Sequence, residues 1–144
     1  MEWEKNRRIF LTVESLLAIF WKILIVMTNL ENLLLSVVNA TDSCIYVKDK
    51  DLRFVFVNAA VSSLYEADAE SMIGKSDIDF IDPVQSALFN EADRRVFNSG
   101  QKECFRFEVE IKGVVYIAED HKFPVVINGA NCIAGIGILT PKET

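Results

Sequence analysis

Histidine occurs once in these 144 residues, and cysteine three times, at Cys44, Cys104 and Cys132, with no CxxC pair. So little thiol and imidazole leaves scant material for a zinc site or a Cys/His nucleophile, and no metal is expected. An odd cysteine count cannot pair completely within one chain. With no secretory leader ending in a small-residue cleavage site, a reduced, cytoplasmic setting follows. Each cysteine then reads as a small hydrophobe on a strand. Glycine and proline are also scarce, six and three residues, while 51% of the chain is apolar. That argues against disorder, collagen-like repeats and low complexity. Basic runs are missing too: 15 Lys and Arg against 21 Asp and Glu leave a net charge of -6. Such a chain is a poor candidate for gripping a phosphate backbone, so no nucleic-acid partner is expected.

What is present divides near Asn39. Arg8 to Val38 has no Gly or Pro and reads as helix, with Leu30 to Val38 a second helix or a continuation. Ile9 to Met27 is apolar except for Thr12, Glu14, Ser15 and Lys22. Ser15, Lys22 and Asn29 recur every seven residues and form a narrow polar stripe. The segment is about long enough to span a bilayer, but charged groups near mid-span would each cost about 2.5–3.5 kcal/mol. A helix pairing with a partner helix through Phe10, Leu17, Phe20, Trp21 and Leu24 explains the pattern without lipid. Membrane association is the competing reading, and Arg7 and Arg8 would then favour a cytoplasmic N-terminus.

Beyond Asn39 short alternating segments begin. Cys44 to Lys48 and Leu52 to Val57 read as a hairpin around Asp49-Lys50-Asp51. Asn58 is suited to cap a helix at Ala59 to Tyr65. Ala67 to Ile73 reads as a helical turn closed by Gly74. A longer helix runs from Pro83 to Asn98, its apolar face drawn from Val84, Leu88, Phe89, Ala92 and Val96. Phe105, Phe107, Val109 and Ile111 then alternate with charged residues, as on a sheet wet on one side. Val114 to Glu119, interrupted at Glu119-Asp120-His121 and resuming at Phe123 to Ile127, makes the next strand. Cys132 to Leu139 follows a turn at Asn128-Gly129. The order predicts an α+β domain: a five-stranded antiparallel sheet with helices on one face, behind an N-terminal helical extension.

Several segments resemble the PAS family. Asp49 to Ala60 is similar to its "D…RF…VN.A" hairpin-into-helix signature, and Ile73 to Phe80 to its "IGK.D.D" segment. Gly135 to Leu139 sits where the last strand usually leads to "DIT"; Thr140-Pro141-Lys142 stands there instead, so the aspartate often tied to signal transmission is absent. The likeness covers roughly residues 33–142 and leaves 1–32 as the helical extension. It implies a non-catalytic sensor or dimerisation module of a bacterial-type signalling protein, two-component systems included. Such a module holds a small molecule between sheet and helices and passes its occupancy through terminal helices, often as a homodimer. The output domain, a kinase, cyclase or transcription regulator, would lie outside these residues, which favours a fragment of a larger receptor.

On that reading Phe54, Phe56, Leu64, Tyr65, Ile73, Phe80, Leu88, Phe105, Phe107, Tyr116, Ile136 and Ile138 surround the sheet–helix space. Tyr65, Arg106 and Tyr116 are the polar-tipped members able to orient a ligand, and an apolar or amphipathic metabolite suits the lining. Gly135 and Gly137 remove bulk on one face of the last strand. The cofactor is unknown. The long helix lacks an axial histidine for haem, and no "NCRFLQ"-like segment supports a cysteinyl flavin. His121 reads as solvent-facing or turn-bonded. Asp77, Asp79 and Asp82 read as turn and helix-start residues rather than a cation site. Two other classes compete: a ligand-free dimerising scaffold, and a small cone-shaped isomerase. The isomerase needs a desolvated carboxylate in its pocket, and no Asp or Glu falls on an apolar strand face.

Overall fold

The computed structural model describes residues 12–143, in two compact units, Met1–Ser36 and Val37–Thr144. Phe10, one of the expected pairing residues, lies outside the described residues. A single helix, α1 (Val13–Ala40), makes Leu30 to Val38 a continuation of the first helix. Thr12 begins it by accepting from the Ser15 amide at 3.1 Å. None of its side chains is buried, and Leu17, Phe20, Trp21 and Leu24 are all exposed.

The second unit holds strands β1 (Cys44–Lys48) and β2 (Phe54–Val57), helices α2 (Ala59–Tyr65) and α3 (Ala69–Met72), and a 3-10 turn at Asp77–Asp79. Helix α4 (Pro83–Ser99) and strands β3 (Glu103–Ile111), β4 (Val114–Ile127) and β5 (Ala130–Pro141) complete it. The strands form one antiparallel sheet in the order β2-β1-β5-β4-β3. First and last strands of the unit are therefore neighbours at its centre. Asn128 and Gly129, both at positive φ, close the β4–β5 hairpin, the backbone a two-residue type I′ turn requires.

Asn58 joins three elements. Its Oδ1 accepts from Val61 N at the start of α2 and from Ile45 N of β1, while Nδ2 donates to Val38 O and Ser43 O. Fully buried, it satisfies all four of these bonds at once.

Two expectations fail here for identifiable reasons. Strand β4 runs unbroken through Glu119-Asp120-His121, because both flanking strands pair with it along that stretch. Helix α4 keeps Phe89, Ala92 and Val96 of its expected face but turns the other two outward: Val84 is 74% exposed and Leu88 43%. Its inner stripe is Ser86, Phe89, Asp93 and Val96, at helical spacing, and includes two polar residues that an apolar-only reading discards. The inner cluster otherwise contains Phe54, Val61, Met72, Val109 and Ile111.

Candidate functional site

Alternation along β1 turns Cys44, Tyr46 and Lys48 toward the helices; along β4 it turns Ala118, Asp120 and Lys122 the same way. Between these strands lies β5, where Gly137 stands between Cys44 and Asp120 and Gly135 between Tyr46 and Lys122. With no β5 side chain in either row, groups from β1 and β4 reach one another across it. A Cβ on Gly135 would overlap the Tyr46 ring. The Tyr46 hydroxyl donates to Asp120 Oδ2 at 2.8 Å and accepts from Lys122 Nζ at 2.6 Å.

Asp93 of α4 closes the site from the helical side. Its Oδ2 accepts from Lys48 Nζ at 2.7 Å and its Oδ1 from Lys122 Nζ at 2.6 Å. Asp77, from the 3-10 turn, accepts from Lys48 at 2.5 Å, and Lys122 also lies 3.0 Å from Asp120 Oδ2. Lys48, Lys122, Asp77 and Asp93 are each at most 2% exposed. Two ammonium groups thus meet three carboxylates out of water, an arrangement tolerable only with this density of hydrogen bonds.

The two lysines divide their influence unequally. Burial works to raise Asp93, but Lys48 and Lys122 together hold its carboxyl below the usual range. Asp77 has Lys48 alone as a hydrogen-bonded cation, and burial prevails, raising it. Burial would lower Lys48, yet Asp77 and Asp93 hold its ammonium above its ordinary value. Burial, then Asp120, pushes the Tyr46 phenol well up and the Cys44 thiol to about 11. Tyr46 therefore donates its proton throughout the physiological range.

One acceptor of the cluster is left over. Asp120 Oδ1 is buried without a hydrogen-bond partner among the described residues, and lies beside Gly137. Asp120 lines a cavity of about 50 Å³ together with the charged residues Lys48, Asp77 and Lys122. Its apolar lining includes Phe54, Tyr65, Phe89 and Leu139. Three of its lining residues, Cys44, Leu64 and Leu139, also line an open surface groove running from Asn39 to Asp42 along α2.

Of the expected pocket residues, Phe54, Leu64 and Tyr65 line this cavity. Phe80, Phe107 and Tyr116 pack on the core beside it, and Phe56 and Phe105 are half-buried elsewhere in the sheet. Ile73 and Leu88 are exposed; Ile136 and Ile138 point to the opposite face, one residue out of register with the two glycines. Arg106 lies on that outer face as well, with Ile138 and Glu119. Asp77 starts the 3-10 turn, as expected, and is in addition a buried ion-pair partner of Lys48. The premise that no carboxylate enters an apolar strand face does not hold, because Asp120 does. Tyr46, Lys48, Asp93, Asp120 and Lys122 are not among the expected pocket residues: Tyr46 sits on a strand read only as a hairpin, and charged residues on strands and helices normally face solvent. The signal was present in the unbroken alternation of Cys44-Tyr46-Lys48 and Ala118-Asp120-Lys122.

The sequence profile of the family described as PAS fold matches residues 38–140, most of the chain. The chain belongs to this family. Solved PAS structures agree on the fold. The PAS domain of Bordetella pertussis BvgS superposes with a TM-score of 0.63 at 19% identity, covering 80% of this chain and 89% of that one. A PAS domain from a two-component sensor histidine kinase gives 0.60 at 15% identity, covering 78% and 99%. VqmA of Vibrio cholerae, solved in a complex with ligand and DNA, gives 0.67 at 22% identity, covering 76% of this chain. The chain corresponds to 50% of that VqmA chain. No curated protein matches it. PAS domains are in general non-catalytic sensor modules of signalling proteins.

Asp93 is the structural test of the buried cluster. Asp93→Ala strands two lysines out of water and should cost about 3–5 kcal/mol in urea denaturation. The pH dependence follows from its lowered value. The stabilisation is present above the ordinary carboxylate range and is lost as pH falls through the folded value, so Asp93→Asn should flatten the acid limb of the stability curve. Asp77, raised, acts in the opposite sense and loses its contribution as pH rises through its own folded value.

Proposed function

We propose that this chain is a PAS sensor module that takes a small, hydrogen-bond-donating ligand, of amine or amide type, between sheet and helices. The unpartnered, buried Oδ1 of Asp120, a residue lining the cavity, carries this reading: a buried acceptor without a partner costs about 1–3 kcal/mol, which a donor placed against it recovers. Charge favours the same class, since three carboxylates face two ammonium groups and an added donor or cation offsets the excess. The apolar lining of Phe54, Tyr65 and Phe89 suits the ligand's other end, so an amphipathic molecule fits better than a wholly apolar one. A cavity of about 50 Å³ limits the ligand to a few heavy atoms unless Cys44, Leu64 and Leu139, which also line the surface groove, move. VqmA, a protein of this fold, has been solved bound to DPO and in a complex with ligand and DNA, which supports a ligand here.

The relay we infer runs through those shared residues. The groove is bounded by Asn39 to Asp42, where α1 ends, so a ligand displacing Leu64 or Leu139 acts on the C-terminal end of α1. Helix α1, with its apolar side chains exposed and a polar stripe repeating every seven residues, supports pairing with a second copy; a dimer is known for VqmA. Its length and composition also suffice to cross a membrane. We favour the pair because Glu14 and Lys22 would lie within the span. Three free cysteines support a cytoplasmic setting, and the net charge of -6 supports a role without direct nucleic-acid contact. Output would come from a kinase, cyclase or transcription domain, with no catalysis in this chain.

Thermal melting against a panel of small amines, amides and carboxylates tests the ligand class. Amines or amides should raise the midpoint of the native chain and leave Asp120→Asn unmoved, with carboxylates inactive. Stabilisation by carboxylates contradicts the assignment; no stabilisation by any compound, with no bound mass in native mass spectrometry, supports the ligand-free scaffold. Light scattering with and without residues 1–29 tests the pairing: dimer and monomer are expected, and an unchanged dimer would move the interface off α1.

A further inference from the structure

On the sheet face away from the cavity, β3 and β4 bring together three metal-binding side chains that are scattered in the sequence. Cys104 and His121 stand directly opposite each other in the register, and Glu119, two residues before His121, shares their face. Cys104 Sγ lies 3.8 Å from His121 Nε2, and Glu119 Oε1 lies 3.3 Å from the same nitrogen. All three donor atoms fall within 4.8 Å of one another. We infer that Cys104, Glu119 and His121 form a zinc-binding site, with the fourth position open to solvent.

The geometry matches the ion. Zinc holds a thiolate at about 2.3 Å, an imidazole nitrogen at about 2.05 Å and a carboxylate oxygen at about 2.1 Å. Tetrahedral angles at those lengths place sulfur and nitrogen about 3.6 Å apart and nitrogen and oxygen about 3.4 Å apart. The separations in this structure, 3.8 and 3.3 Å, already lie close to those edges before any ion draws the ligands in. Thiolate and imidazole donors select zinc over magnesium and calcium, and a thiolate with a carboxylate neutralises the dication.

A nucleophile relay would use the same residue types in a different arrangement. There the thiol and the carboxylate engage opposite nitrogens of the imidazole. Here both converge on Nε2, which suits a shared cation and not a proton relay. Nor is the carboxylate taken by another cation. Among the described residues Glu119 pairs with no lysine or arginine, although Arg106 is its cross-strand neighbour. The three side chains are exposed, so zinc can reach them without the fold opening. Sequence spacing hides the site, because Cys104 and His121 are 17 residues apart and meet only through the β3–β4 register. This site stands apart from the sensor reading and depends on none of it.

Calorimetric titration of the full chain with zinc chloride, under reducing conditions that leave zinc free, tests the site. One zinc per chain is expected. Cys104→Ser and His121→Ala should each weaken binding at least about 10-fold, ligands mattering no less than the outer-shell groups that cost 10–100-fold. Cys132→Ala, which alters a cysteine outside the site, should leave the affinity unchanged. Cobalt in place of zinc should give the near-ultraviolet thiolate-to-metal absorption with the native chain and not with Cys104→Ser. Equal zinc affinity in the native chain and Cys104→Ser, or a cobalt complex without a thiolate band, overturns the proposal. Circular dichroism of each variant separates loss of ligand from loss of fold.

Discussion

Everything at the candidate site depends on Asp93 being held between two lysines. Each of its oxygens takes one ammonium, Lys48 from β1 and Lys122 from β4, so a single carboxylate of α4 spans the centre of the sheet. Lys48 extends the cluster to Asp77, and Lys122 extends it to Tyr46 and Asp120. Buried ion pairs of this kind are seldom more stable than well-packed apolar replacements, because desolvation offsets the attraction. What this one supplies is position. It fixes the Tyr46 hydroxyl and orients the Asp120 carboxylate so that one oxygen is satisfied and the other is left buried without a partner.

The cluster is in turn made feasible by what β5 lacks. Gly135 and Gly137 lie between the charged rows of β1 and β4, and a side chain at Gly135 would collide with Tyr46. The two glycines that open space and the five charges that fill it form one device. The same strand that leaves room on its inner face presents Ile136 and Ile138 outward, which is why a one-residue error of face changes the whole character of the pocket.

Much of this was legible from residues alone. Period-two alternation, the Asn128-Gly129 turn, the Asn58 cap and the Pro83 and Gly100 boundaries of α4 each have a local physical cause, and local causes can be read from local sequence. The ionic half of the site has no such local cause. Lys48, Asp93, Asp120 and Lys122 are buried only because each finds partners 29 to 45 residues away or farther, and a lone lysine on a strand is normally solvated. Binary patterning marks such residues as surface, and so Phe54 and Tyr65 of the aromatic lining are legible without the charged half. Cross-strand register hid the Cys104–His121 pair in the same way.

On the proposed reading, the ion cluster fixes the place of the ligand before the ligand arrives. Removing Asp93 would loosen the cavity by releasing both lysines; changing Asp120 alone would alter what the cavity accepts. The most direct measurement is a high-resolution crystal structure of the chain purified without heating or denaturant, inspected at Asp120 Oδ1. The account predicts density for a bound molecule whose donor lies within hydrogen-bonding distance of that oxygen and whose apolar part faces Phe54 and Phe89. A cavity holding only ordered water, in crystals soaked with the amines and amides as well as without them, would contradict it.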